Sequence, residues 1–207
     1  MALILHHHPF SRAANVVWML EEVGCDYTLE YVDLMSGDQK KPQYRQMNPM
    51  GKLPILVDGD TIVTESAAIA LYLGDRYALG RLAPMPDSPQ RGTYLRWSLY
   101  APSVIEPGCV ANASGWEFRP SQAGWGTYEA MLDTISTAIS GGPWLLGETF
   151  SMADVIFGGT LRYMALFGMI EKRPEYMAYV ERLEARPACK AAQEINNRVI
   201  QERGLSR

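Results

Sequence analysis

The sequence predicts an α/β domain over residues 1–78, a linker over residues 79–89 and an all-helical domain over residues 90–207. Three observations carry this reading. Strand-like and helix-like hydrophobic patterns alternate in the first part. Gly80, Pro84, Pro86 and Pro89 then interrupt the pattern. Beyond them every periodic segment has helical spacing. The chain has 207 residues, 47% hydrophobic and 20% charged. A chain of this size removes roughly 70% of its unfolded surface from water, so its core needs no covalent or metal staple. Disordered, collagen-like and small disulfide-scaffold classes are excluded.

In chain order, Ala2–Leu5 is a short apolar run that reads as a strand. Ala13, Val16, Val17, Leu20 and Val23 recur with a 3.6-residue period, with Glu21 and Glu22 opposite and Gly24 at the C-cap position. Thr28–Val32 carries β-formers. The polar stretch from Lys40 to Met50 reads as irregular and ends in the turn cluster Asn48-Pro49-Met50-Gly51. Pro54–Val57 and Thr61–Val63 flank Asp58-Gly59-Asp60, a hairpin signal because Asp-Gly tolerates the positive φ of a tight turn. Ser66–Tyr77 is an amphipathic helix through Ala67, Ile69, Ala70 and Leu73. In the second part, helices are predicted over 90–105, 126–139, 151–168, 174–185 and 187–201. Ser151-Met152-Ala153-Asp154 has the pattern of a capping box, a hydroxyl at the N-cap and a carboxylate three residues on.

Net charge is −4, which provides no electrostatic footprint for nucleic acid or an anionic membrane. No apolar run approaches the ~18 residues of a membrane span. The start of the chain has no secretory signal pattern, since His6, His7, His8 and Pro9 follow the first apolar residues directly. Cys25, Cys109 and Cys189 are odd in number and widely spaced, which fits a reducing cytoplasm better than a disulfide framework.

Three segments could carry chemistry. Pro9-Phe10-Ser11-Arg12 joins the first strand to the first helix, where unpaired backbone N–H groups and the helix dipole suit an anion and Ser11 adds an O–H donor. From this segment alone, a helix cap and nothing more is the simpler reading of Ser11. In Gly51-Lys52-Leu53-Pro54, a proline opening a strand belongs at an edge or in a special turn. A cis Leu53–Pro54 bond would turn the N–H and C=O of Leu53 toward a peptide-like ligand, while Lys52 reads as a solvated charge or an anchor. Glu65-Ser66 opens the next helix, where an acid answers the dipole or binds an ammonium group.

Together these segments resemble the cytosolic glutathione transferases, in their serine-type, bacterial-like form. The resemblance rests on Ser11 through Leu20-Glu21-Glu22, on Asn48-Pro49-Met50-Gly51-Lys52-Leu53-Pro54, on Glu65-Ser66-Ala67-Ala68-Ile69 with Tyr72-Leu73, and on Ser151-Met152-Ala153-Asp154. It implies a thioredoxin-like domain followed by a helical domain, a cytoplasmic homodimer, and glutathione as substrate or cosubstrate with no metal. It also implies site roles. Ser11 matches the catalytic serine, Pro54 the cis-proline, Lys52 and Gln39 ligands of the glycyl end, Leu53 the partner of the cysteinyl backbone, and Glu65 with Ser66 the γ-glutamyl site. Phe10 and Tyr100 fall where the resemblance puts an apolar electrophile.

Departures narrow the chemistry. No Cys-x-x-Cys occurs and no cysteine precedes Cys25, which argues against dithiol and glutathione-disulfide chemistry. No tyrosine precedes Tyr27, so a catalytic N-terminal tyrosine is absent, and Ala13 and Ala14 offer Ser11 no substitute. The run His6-His7-His8 alternates faces along a strand and cannot converge on one metal ion. Tyr94, Trp97 and Tyr100, spaced by three, read as core or dimer surface. The expected reaction is attack of the glutathione thiolate on a small apolar electrophile, as in detoxification. A non-catalytic binding or scaffold protein, and a glutathione-dependent isomerase or lyase, are the alternatives on the same fold.

Overall fold

The computed structural model describes residues 3–206. The first strand, β1, runs over Leu3–His7, so Ala2 of the expected strand lies outside the described residues and the strand extends two residues further than the apolar run. After it come α1 (Ala13–Val23), β2 (Tyr27–Tyr31), α2 (Pro42–Met47), β3 (Ile55–Asp58), β4 (Thr61–Thr64) and α3 (Ser66–Tyr77). The helices α4 (Arg91–Tyr100), α5 (Glu106–Ala113), α6 (Tyr128–Ser140), α7 (Met152–Leu166), α8 (Pro174–Glu184) and α9 (Pro187–Glu202) complete the chain. No helix of the described residues is long and apolar enough to cross a membrane.

The four strands form one sheet in the order β2-β1-β3-β4. β1 and β2 are parallel, with Leu5 opposite Leu29; β3 runs antiparallel to β1, with Leu56 opposite Leu5, and β4 antiparallel to β3. Gly59 takes a φ of 59° in the two-residue turn, as the Asp-Gly signal predicts. Leu3, Leu5 and Leu56 from the sheet are buried, as are Val16, Val17 and Leu20 of α1 and Ile69 and Leu73 of α3. Each such side chain contributes roughly 1.5–3 kcal/mol relative to exposure. Gly24 closes α1 in the left-handed region, its N–H on the C=O of Leu20 at 2.9 Å.

Two compact units emerge, one running up to Ala78 and resuming at Arg186, the other Leu79–Ala185. The last helix, α9, thus groups with the first unit. The reason is packing: α9 lies against α1 rather than among the other helices. The same packing corrects the placement of Glu22 on a face opposite the buried one. Glu22 is buried, accepting Arg186 Nε and Nη2 at 2.6 and 2.7 Å and Trp18 Nε1 at 2.9 Å. With the sheet side on one flank and α9 on another, α1 has little polar face left.

In the second unit, the helix expected to end at Ile105 continues to Ala113. Pro102 and Pro107 have no N–H to give, and a widened π turn over Ala101–Ile105 absorbs the first of them. There Glu106 N–H reaches back to Ala101 C=O, and Ser103 Oγ–H donates to Leu99 C=O at 2.6 Å. The capping box of α7 forms as predicted. Asp154 accepts the N–H groups of Leu145 (2.8 Å) and Ser151 (2.9 Å), the hydroxyl of Ser151 (3.1 Å) and that of Tyr179 (2.8 Å). Burial pushes the Asp154 carboxyl up while these donors pull it down. A Cβ at Gly158 would fall 2.0 Å from Leu183 Cδ1, so the bare α7 backbone permits the close approach of α8.

Candidate functional site

The three predicted segments all belong to the first unit. The turn Pro9–Arg12 leaves the end of β1 and enters α1. Ser11 is half-buried and holds the turn locally: its N–H and Oγ–H both donate to His8 C=O, at 3.0 and 2.8 Å, and its Oγ accepts Ala13 N–H at 3.1 Å. Without a ligand the hydroxyl therefore has a donor partner and an acceptor partner inside its own turn. Phe10, half-buried, packs edge-on to the His8 ring with centroids 5.6 Å apart.

The second segment is shaped by Asn48, which the sequence reading placed only in a turn cluster. Buried Asn48 donates Nδ2–H to Lys52 C=O at 2.9 Å, accepts Met50 N–H on Oδ1 at 3.1 Å, and accepts Gly51 N–H on its C=O at 2.8 Å. Gly51 takes a φ of 60°, and a Cβ there would meet Gln39 C=O at 3.4 Å. The backbone of Gln39, in a 3₁₀ turn over Asp38–Lys40, thus abuts the Lys52 turn. The Oε1 of Gln39 is buried with no hydrogen-bond partner among the described residues. Lys52 is exposed, Leu53 buried, and the Leu53–Pro54 peptide is cis. Leu53 precedes the β3 ladder, which starts at Ile55.

Glu65, immediately before α3, has φ 66° and ψ 121° and is the one non-glycine residue with positive φ among the described residues. Such a conformation costs of order 1–3 kcal/mol and persists where the surroundings impose it. Glu65 C=O still accepts Ile69 N–H at 2.9 Å, so the strain sits at the helix entrance without interrupting the helix. The Glu65 side chain is exposed, and Ser66 stands half-buried at the first helical position. No acidic residue occupies the first turn of α3, which leaves its positive dipole end to an outside anion.

The histidines are buried and engaged separately. His6 Nδ1 lies 3.3 Å from Glu30 Oε2, His7 Nε2 is 2.7 Å from Asn196 Oδ1, and His8 Nδ1 accepts Phe10 N–H at 3.1 Å. Three different partners keep them from converging on one ion. Burial lowers the pKa of all three, that of His7 to about 4; Glu30 and Asp33 oppose the drop at His6 and His8. The roles of His8 and Asn196 were not legible as site features beforehand. Within the second unit, half-buried Tyr100 packs on Trp97 at 5.4 Å and on Phe157 at 6.3 Å, and Phe118 packs on Trp125 at 5.5 Å. Each of these aromatic contacts lies inside its own unit.

Comparison with known proteins agrees with this architecture. Residues 1–75 match the family description "Glutathione S-transferase, N-terminal domain" and residues 118–191 match "Glutathione S-transferase, C-terminal domain". Glutathione S-transferase F10 of Arabidopsis thaliana is 27% identical, over 92% of this chain and 95% of its own. Among solved structures, a glutathione transferase of Methylococcus capsulatus matches with TM-score 0.78 and 29% identity, over 95% of this chain and 99% of its own. The glutathione transferase URE2P6 of Phanerochaete chrysosporium, solved in complex with oxidized glutathione, matches with TM-score 0.79 and 26% identity, over 95% and 97%. With both of its family descriptions matched in order and its fold shared end to end, the chain belongs to the cytosolic glutathione transferase family.

Proposed function

We infer that this protein is a serine-type glutathione transferase that activates the glutathione thiol and directs it at a small apolar electrophile. The observation that carries the reading is the strained backbone of Glu65 at the mouth of α3. Nothing in helix formation calls for a non-glycine residue with φ 66° there. A site that must present a carboxylate outward beside an open helix N-terminus does call for one. Glu65 would take the ammonium of the γ-glutamyl end, and Ser66 with the first N–H groups of α3 its carboxylate. Leu53 would pair with the cysteinyl backbone, and Lys52 with Gln39 would hold the glycyl end. Phe10 and Tyr100 are the proposed electrophile contacts, each to be tested by its own substitution.

The proposed role of Ser11 is to donate to sulfur. An ordinary thiol has a pKa of ~8.5 and is a few per cent ionised at neutral pH. To act, the Ser11 O–H leaves His8 C=O for the sulfur, exchanging a neutral hydrogen bond worth ~1 kcal/mol for a charge-assisted one worth ~1.5–3 kcal/mol. The net gain of ~0.5–2 kcal/mol lowers the thiol by about one unit. Ala13 N–H, donating into Oγ at 3.1 Å, polarises the hydroxyl in the useful sense. The thiol proton passes to solvent. The thiolate sulfur then forms a bond to the electrophilic carbon, and the leaving group departs with the bonding pair. Ser11 keeps its own proton throughout. A cytoplasmic homodimer engaged in detoxification completes the reading.

Calorimetry with glutathione, followed by turnover of an activated aryl halide, tests it. Binding and turnover are expected, with Ser11→Ala raising the bound thiol's pKa by about one unit and lowering turnover near neutral pH about tenfold while affinity stays close to unchanged. No heat of binding at millimolar glutathione would overturn the function. Binding with unaltered thiol pKa in Ser11→Ala would remove Ser11 from the chemistry.

A further inference from the structure

His8 fastens the turn that carries Ser11 both by its backbone and by its ring. The backbone contribution is the C=O that receives Ser11 N–H and Oγ–H. The ring contribution is Nδ1, which accepts Phe10 N–H at 3.1 Å. A side-chain acceptor on the N–H two residues ahead is the pattern by which Asn and Asp shape Asx turns, here built from an imidazole. The ring is 1% exposed and wedged between Phe10 at 5.6 Å and Tyr31 at 5.5 Å.

We propose that His8 is a positioning residue for Ser11: its Nδ1 holds the amide next to Ser11 and so fixes where the Ser11 hydroxyl can turn to meet a substrate sulfur. This rests on the function proposed above. The other ring nitrogen makes the case. With Nδ1 accepting, the neutral ring carries its proton on Nε2, and Nε2 is buried with no hydrogen-bond partner among the described residues. A side chain needed only to fill the gap between two aromatic rings would be apolar, because a buried unpaired N–H is unfavourable. The imidazole is accounted for by the Nδ1 contact.

The same geometry requires the neutral ring. A proton on Nδ1 would face Phe10 N–H, donor against donor, and the turn would open. The charged and titratable groups around the ring are His7 beside it on β1, Tyr31 at the end of β2, and Asp33 just beyond; Arg203 reaches the cluster through the Tyr31 ring, 4.6 Å above it. Asp33 favours the protonated ring, but burial opposes it more strongly.

The test compares full-length wild type, His8→Asn and His8→Phe. Two quantities are read: the pKa of bound glutathione from thiolate absorbance, and hydrogen exchange at the Phe10 amide without ligand. An Asn oxygen can take the same N–H in an Asx turn; Phe fills the space without an acceptor. His8→Asn is expected to keep the wild-type thiol pKa and slow exchange. His8→Phe is expected to raise the thiol pKa by about one unit, a tenfold loss of thiolate at a given pH below both values, with faster Phe10 exchange and nearly unchanged affinity. The proposal is overturned if Asn and Phe variants behave alike. It is overturned also if a folded His8→Asn loses as much thiolate as Ser11→Ala, or if His8→Asn fails to fold, which would make the ring a packing element. Should His8→Phe not fold, the Asn comparison decides alone. If wild type takes up no glutathione, the functional reading falls, while Phe10 exchange still reports whether the ring holds the turn.

Discussion

Asn196 on α9 accepts a hydrogen bond from His7 Nε2 at 2.7 Å, joining the last helix to the end of the first strand. The carboxamide orientation follows from its other end, where Nδ2 donates to Ala14 C=O at 3.2 Å and to Ala192 C=O at 2.7 Å. His7 and Ala14 flank the Ser11 turn on either side, so one side chain ties both ends of that turn to α9. Asn196→Ala would strand the buried His7 N–H. The expected loss is about 2 kcal/mol of unfolding free energy, measured by urea denaturation. A loss below ~0.5 kcal/mol would show that α9 holds by apolar packing alone.

Stability should depend on pH through the same histidine. Folding holds the His7 pKa near 4, chiefly by burial, against an unfolded value of 6.5. Between these values the unfolded chain binds the extra proton, so stability rises with pH across this window. The contribution is fully present above about pH 6.5 and is lost as pH falls through about 4. The span corresponds to about 3 kcal/mol. Denaturation midpoints at successive pH values should decline in this range for wild type, and less steeply for His7→Gln. Parallel profiles would remove His7 as the source.

Thiol chemistry of the protein itself is expected to be silent. Burial raises the Cys25 thiol and pushes Cys109 up to about 12, and Cys189 is buried. Each unit above ambient pH cuts the reactive thiolate tenfold. Iodoacetamide at neutral pH should leave transferase turnover intact. A stoichiometric loss of activity with alkylation would point to cysteine-based chemistry instead.

What the sequence disclosed is what short-range physics encodes. The Gly24 cap, the Gly59 turn and the Ser151–Asp154 box each need only a few neighbouring residues, and each forms as read. Ser11, Lys52 and Glu65 were legible as ordered motifs next to element ends. The six-residue α2 was missed because it is polar and buries no side chain, so it has no hydrophobic period to detect. Glu22 with Arg186 and His7 with Asn196 were missed for the opposite reason. These partners lie 164 and 189 residues apart, and nothing in a local pattern announces that α9 returns to the first unit.

Glu65 offers a way to separate strain from recognition, because the two make opposite demands on one position. Its φ of 66° is open to glycine and unfavourable for any other residue. Glu65→Gly should therefore relieve strain and raise stability by about 1 kcal/mol after glycine's own entropy is counted. The same change removes the carboxylate proposed to meet the γ-glutamyl ammonium, and glutathione affinity should fall roughly tenfold or more. Glu65→Ala keeps the strain and loses the charge, so affinity should fall comparably with no gain in stability. Paired calorimetry and thermal melts on the two variants read both quantities. A destabilised Glu65→Gly protein that still bound glutathione at wild-type strength would mean the unusual backbone serves the fold, and the γ-glutamyl end would have to be placed elsewhere.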